Sequence, residues 1–149
     1  MKRFDFKLEK LLTIREYNEL EAKLKYAREL QKKLDLENKN IDMQKSILQS
    51  TIDSYSNIKN GDIINNEEMT FQENYINNLI KMIKTNENKK RMMSEKLSKL
   101  KEELTEAMKK RKIITQLKNK KYEKYKKETK KEDIKRLDEI ANQLNLFTL

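Results

Sequence analysis

The sequence predicts an all-α fold, a long antiparallel two-helix coiled-coil hairpin with an overhanging C-terminal helix. Three observations predict it. The 149 residues contain no Pro and one Gly, and they are rich in Lys, Glu, Leu, Gln and Met, all good helix formers. Apolar residues recur every seven positions in both halves of the chain, the period of a left-handed coiled coil. Aromatics make up only 7% and mean hydropathy is −1.05, so a narrow apolar seam, not a thick core, is what the chain can build. The whole chain, 1–149, reads as one elongated domain.

The first helix is expected over about 4–58. Leu20, Ala27, Leu34, Ile41, Leu48 and Tyr55 keep the seven-residue period, with Tyr17, Leu24 and Ile52 at the alternate seam position. The turn follows at about 59–65. Asn60-Gly61-Asp62 suits a positive φ that ends a helix, and Asn65 or Asn66 can cap the next one ahead of Glu67-Glu68. The second helix is expected over about 66–144, where Leu79, Met93, Leu100, Ala107 and Ile114 carry the period and Ile83, Leu97 and Leu104 lie between them.

Folding the arms back about this turn gives a register. If Ile58 faces Asn66, Leu20 meets Leu104, Leu24 meets Leu100, Ala27 meets Leu97, Ile41 meets Ile83 and Leu48 meets Ile76. The same register sets Asn38 opposite Asn86, an amide pair that disfavours slipped alignments, or else a hydrated gap in the seam. At ~1.5 Å per residue the arms span ~80 Å and ~115–120 Å. Phe4 therefore meets about Lys120, and the second helix runs on alone. That extension carries Ile134, Leu137, Ala141 and Leu144 at 3-4-3 spacing, then Leu146, Phe147 and Leu149, an apolar stripe suited to another protein.

Charge is uneven. Lys and Arg number 35 against 25 Asp and Glu, a net charge of +10. Between Lys109 and Lys131 twelve basic residues face only Glu123 and Glu128, so this segment alone accounts for the whole excess. It suits an acidic protein surface, or nucleic acid through phosphate contacts with Tyr122 and Tyr125 as stacking residues, or simply solvent. No helix-turn-helix, zinc or RNA-binding fingerprint accompanies it, so nucleic acid is the less favoured partner. It also lacks the bulky apolar face of a membrane-inserting helix.

Catalysis is disfavoured by what is missing. Without His or Cys there is no imidazole base, thiolate, zinc site or disulfide, and one glycine cannot write a phosphate-binding loop. Glu67-Glu68, Glu102-Glu103 and Asp138-Glu139 are adjacent on a helix and point apart. No cofactor or metal is expected, and the reading is of a protein that is not an enzyme. The charged N-terminus is not a secretory signal and no apolar run reaches the ~20 residues of a membrane span, so the expectation is a cytoplasmic protein.

Mid-chain, Met69, Phe71, Tyr75, Ile76, Leu79, Ile80, Met82 and Ile83 form a cluster wider than one seam needs. Phe71, Tyr75, Ile80 and Met82 fall partly outward. They suit adaptable contacts with partner helices, or alternatively a cap over the hairpin turn.

The opening Phe4-Asp5-Phe6-Lys7-Leu8-Glu9-Lys10-Leu11-Leu12-Thr13-Ile14-Arg15-Glu16 and the late Lys135-Arg136-Leu137-Asp138-Glu139-Ile140-Ala141 resemble the FliJ family of flagellar export proteins. The shared elements are a Phe-x-Phe-x-Leu start, a Leu-x-x-Arg-Glu continuation and a late Asp-Glu-x-Ala, in a chain of matching size. The family often continues with Arg, where Asn142-Gln143-Leu144-Asn145 stands here. The resemblance implies a non-enzymatic part of the bacterial flagellar type III export apparatus, at the cytoplasmic face of the membrane. It implies an antiparallel coiled coil similar to the stalk of rotary ATPases, whose terminal end enters the hexameric export ATPase and promotes its assembly. Other surfaces meet the cytoplasmic domain of the export gate and the export chaperones. Carried over by position, Phe4, Phe6, Leu8, Leu12, Arg15, Glu16, Asp138, Glu139 and Ala141 fall at the ring-entering end, and the uneven charge adds Lys120, Lys121, Lys124 and Lys127 there as a basic collar. Phe71, Tyr75, Ile80 and Met82 are then the gate or chaperone contact. The stalk proteins of virulence-type secretion systems share the same shape, and a basic coiled-coil nucleic-acid-binding protein is the reading from another class.

Overall fold

A computed structural model describes residues 2–61 and 66–147, except for the side chain of Phe147. Two helices make up nearly all of it, α1 over Glu9–Lys59 and α2 over Asn66–Phe147, and no strand occurs among the described residues. They pack antiparallel, as the sequence predicts. At the end of α1 the Asn60 and Gly61 amides donate back to Ser56 and Ile58, and Gly61 takes φ +76°. Nothing lies within 4 Å of where its Cβ would be, so glycine is favoured there by backbone conformation and not by space. Asn66 opens α2 with Glu67 and Glu68 in the first turn, where acids complement the helix dipole. The expected turn residues Asp62 and Asn65 lie outside the described residues, as does Leu149.

α1 begins later than expected. Residues 4–8 are not helical; the Glu9 amide donates to Phe6 O at 3.1 Å, closing a turn that drives the Phe6 ring inward.

The chain divides into two compact units, one of residues 1–22 with 104–149, the other of 23–103. In the first, Phe6 and Leu12 are 5% and 4% exposed and form the core with half-buried Leu8, Leu11, Ala22, Leu104, Ala107 and Ile114. Two ion pairs join its helices: Lys118 Nζ to the Glu9 carboxylate at 2.8 Å, and Arg111 Nε to Glu19 Oε2 at 2.6 Å. The Glu19 hydrogen bond pushes the Arg111 guanidinium further up its already high range.

In the second unit the α2 seam is as expected, with Leu79, Ile83, Met93, Leu97 and Leu100 all buried or half-buried. On α1 the expected seam is overturned. Leu24, Leu34, Ile41, Leu48, Ile52 and Tyr55 are exposed, and Tyr17 and Leu20 of the first unit are exposed as well. The inward positions are instead Tyr26, Glu29, Lys33, Leu36, Asn40, Met43, Ile47, Ser50 and Ser54, a second seven-residue repeat of mixed polarity. The register differs correspondingly: Asn86 meets Asn40, not Asn38. A shift of two residues turns a helix by roughly 200°, enough to exchange one face of α1 for the other.

Polar bonds across the helices fix this alignment. Glu29 is buried and takes Lys96 Nζ at 3.0 Å and Lys32 Nζ at 3.2 Å; these two bonds, Lys96 first, hold its carboxyl below the ordinary value. Lys90 Nζ lies 3.5 Å from Glu37, and the Ser54 hydroxyl donates to Gln72 Oε1. Every interhelical ion pair named in either unit sets an acid of α1 against a base of α2.

Candidate functional site

The first unit gathers most of the residues that the sequence marks at the terminal end. Phe4 is half-buried, its ring 5.1 Å from Tyr122 in an edge-on contact and 5.4 Å from Tyr125. Tyr122 and Tyr125 stack on each other at 6.4 Å, and the Tyr125 hydroxyl donates to Lys2 O at 2.6 Å. Lys126 Nζ caps the Tyr122 ring at 4.6 Å. The two tyrosines thus clamp the N-terminal segment onto α2. They are engaged within the chain, which weighs against a platform for nucleic-acid bases.

Phe6 and Leu12 are buried in this unit and present little surface to a partner. Leu8 and Arg15 are half-buried, and Glu16 is exposed. Lys120, Lys121, Lys124 and Lys127 are exposed, and three of them line a shallow depression of about 380 Å³ with Asn119 and Glu123. Every described side chain from Lys130 to Leu146 is exposed, Asp138, Glu139 and Ala141 among them.

In the second unit Phe71, Tyr75, Ile80 and Met82 are exposed on α2. Phe71 lines a cleft of about 720 Å³ with Ile58, Met69, Ile76 and the acids Glu67, Glu68 and Glu73. Among the described residues no group of three Asp or Glu is placed to hold a metal ion, and no helix is long and apolar enough to cross a membrane.

The pattern of one family, described as Flagellar FliJ protein, matches residues 4–146. The chain belongs to the FliJ family. Among curated proteins and among solved structures nothing matches it. Membership in the FliJ family gives the chain a role in flagellar protein export, as a non-catalytic component associated with the export machinery. The match runs from Phe4, in the tyrosine clamp, to Leu146, at the end of the exposed stretch of α2, so it takes in nearly all of the terminal unit.

The Glu19, Glu29 and Asn40 contacts escaped sequence reasoning, although a signal was present. Acids at 9, 19, 29 and 37 oppose bases at 118, 111, 96 and 90 in antiparallel order. A search for charge complementarity between the arms would have found them.

Proposed function

We propose that this FliJ-family chain is the stalk of the flagellar export ATPase ring, entering it by the terminal unit. The observation that carries this reading is the wholly exposed run from Lys130 to Leu146, which follows directly on the basic helix. A helix whose charged and apolar side chains all face outward is suited to a lumen that surrounds it. Lys120, Lys124 and Lys127 supply the positive surface that an acidic ring wall would attract. By binding the assembled hexamer better than separate subunits, the stalk shifts the equilibrium toward the ring and raises ATP hydrolysis without supplying a catalytic group. The exposed Phe71, Tyr75, Ile80 and Met82 serve as the contact to the export gate or to substrate chaperones, at the cytoplasmic face of the apparatus.

Titration of the protein into the export ATPase of the same organism, with hydrolysis and hexamer formation followed together, tests this. Stimulation with ring assembly is expected. Charge reversal of Lys120, Lys121, Lys124 and Lys127 weakens the effect, most strongly at low salt. No binding and no stimulation would remove the stalk reading, and an affinity indifferent to salt would remove its electrostatic part.

A further inference from the structure

The face of α1 turned away from α2 is more apolar than the face packed on it. Within the second unit Leu24, Leu34, Ile41, Leu48, Ile52 and Tyr55 lie outside, with Leu48 at 61% and Tyr55 at 67% exposure, while Glu29 and Asn40 are buried within. Leu34, Ile41, Leu48 and Tyr55 recur every seven residues, and Leu24 and Ile52 stand at the alternate position of the same repeat. The seven-residue repeat that packs on α2 keeps this stripe on the outer side of α1 along its length. We propose that this face, from Leu24 to Tyr55, docks an amphipathic helix of another protein, apolar at the same spacing and charged in a defined pattern on its flanks.

The flanking charges identify the occupant. Lys23 and Arg28 border the stripe near its start, and Asp35 and Asp42 border its middle, together with Glu37, which also faces Lys90 of α2 at 3.5 Å. A complementary helix carries acids opposite the first pair and bases opposite the second group. A second copy of this chain does not fit. Parallel and in register, it sets Lys23 beside Arg28 and Glu37 beside Asp42 of the other copy. Antiparallel, with Leu24 against Tyr55, it sets Asp35 beside Asp42 twice. Both self-pairings that cover the whole stripe place like charges together, which acts against homodimers. Asn38 and Lys45, on the same face, narrow the choice further by favouring polar groups across from them, while Gln31 donates to Asp35 within α1.

The test uses the full chain and two synthetic helical peptides, each roughly four heptads long with Leu at the seam positions. One carries Glu opposite Lys23 and Arg28 and Lys opposite Asp35, Glu37 and Asp42; the other has these charges exchanged. The first peptide is expected to bind about tenfold more tightly than the second, with the preference shrinking in high salt. Leu34→Asp together with Ile41→Asp abolishes binding while leaving helix content and the urea midpoint unchanged, since both side chains are exposed. Equal binding of the two peptides, or none, overturns the proposal. Loss of helix content in the double variant also overturns it, by showing that the face is covered within the chain. Sedimentation of the wild-type protein as a dimer that the double variant dissolves assigns the face to a second copy and rejects the proposal.

Discussion

Asn86 Nδ2 donates to Asn40 Oδ1 at 2.9 Å, and Asn40 Nδ2 donates in turn to Glu87 Oε1 at 3.0 Å. Asn40 is 4% exposed, so both of its polar groups depend on α2 for their partners. Moving α1 by two residues would break both bonds and bring Asn38 into place instead. Alternative alignments of a repetitive seam differ little in apolar burial, and one buried amide that is satisfied in only one of them decides between them.

Replacement of Asn40 therefore separates the two registers. Asn40→Ala strips Asn86 and Glu87 of a partner and should destabilise the protein by about 1–3 kcal/mol. Asn38→Ala, at an exposed position two residues away, should fall within ~0.5 kcal/mol of wild type. Urea unfolding followed by circular dichroism measures both. The reverse order of effects would place Asn38 in the seam and reject this alignment.

Glu29 gives the fold a pH dependence of known sign. Its carboxyl is held below the ordinary value of 4.5 by Lys96 and then Lys32, so the ionised form favours the folded state. That contribution is fully present above the unfolded value and is lost as pH falls through the lower, folded one. Glu29→Gln removes it. Melting temperatures of wild type and variant should differ by a constant amount from neutral pH down to about 4.5 and converge below it. A gap that persists into stronger acid would mean that the ion pair is not its source.

The α2 seam was legible because its apolar repeat coincides with the face that packs. On α1 the two were separated. Leu34, Ile41 and Leu48 make the more hydrophobic repeat and lie outside, whereas Glu29, Lys33 and Asn40 interrupt the repeat that lies inside. Periodicity reports which face of a helix is apolar but not which element covers it, and here pair-specific polar bonds made the choice. The terminal unit was legible in its membership: Phe4 and the lysines around 120 do fall together. Its clamp was not, since nothing in the spacing of Tyr122 and Tyr125 tells stacking on Phe4 from stacking on a base.

Phe6 and Phe71 look alike in the sequence and should behave oppositely. Phe6 is nearly enclosed, and Phe6→Ala opens a cavity in the core of the terminal unit, destabilising by about 3 kcal/mol. Phe71 is 74% exposed, and Phe71→Ala should change stability by no more than ~0.5 kcal/mol. Thermal unfolding distinguishes them. A large effect at Phe71 would assign it to the structure of the hairpin end and not to a contact surface.

The run from Lys130 to Leu146 should be the least protected part of α2. Helix formation carries a costly nucleus, and a segment of this length whose side chains are all exposed is marginal in water. The neighbouring lysines at 124, 127, 130 and 131 add repulsion at helical spacing. Hydrogen exchange should therefore show protection no more than about tenfold above an unstructured chain over 130–146, against at least a hundredfold more over 90–118, where α2 packs on α1. Addition of the export ATPase should raise protection selectively in the first stretch, because ordering a bare helix requires new contacts along its length. Uniform protection in the free protein would show that the run is already covered, and the stalk reading would lose the surface on which it rests.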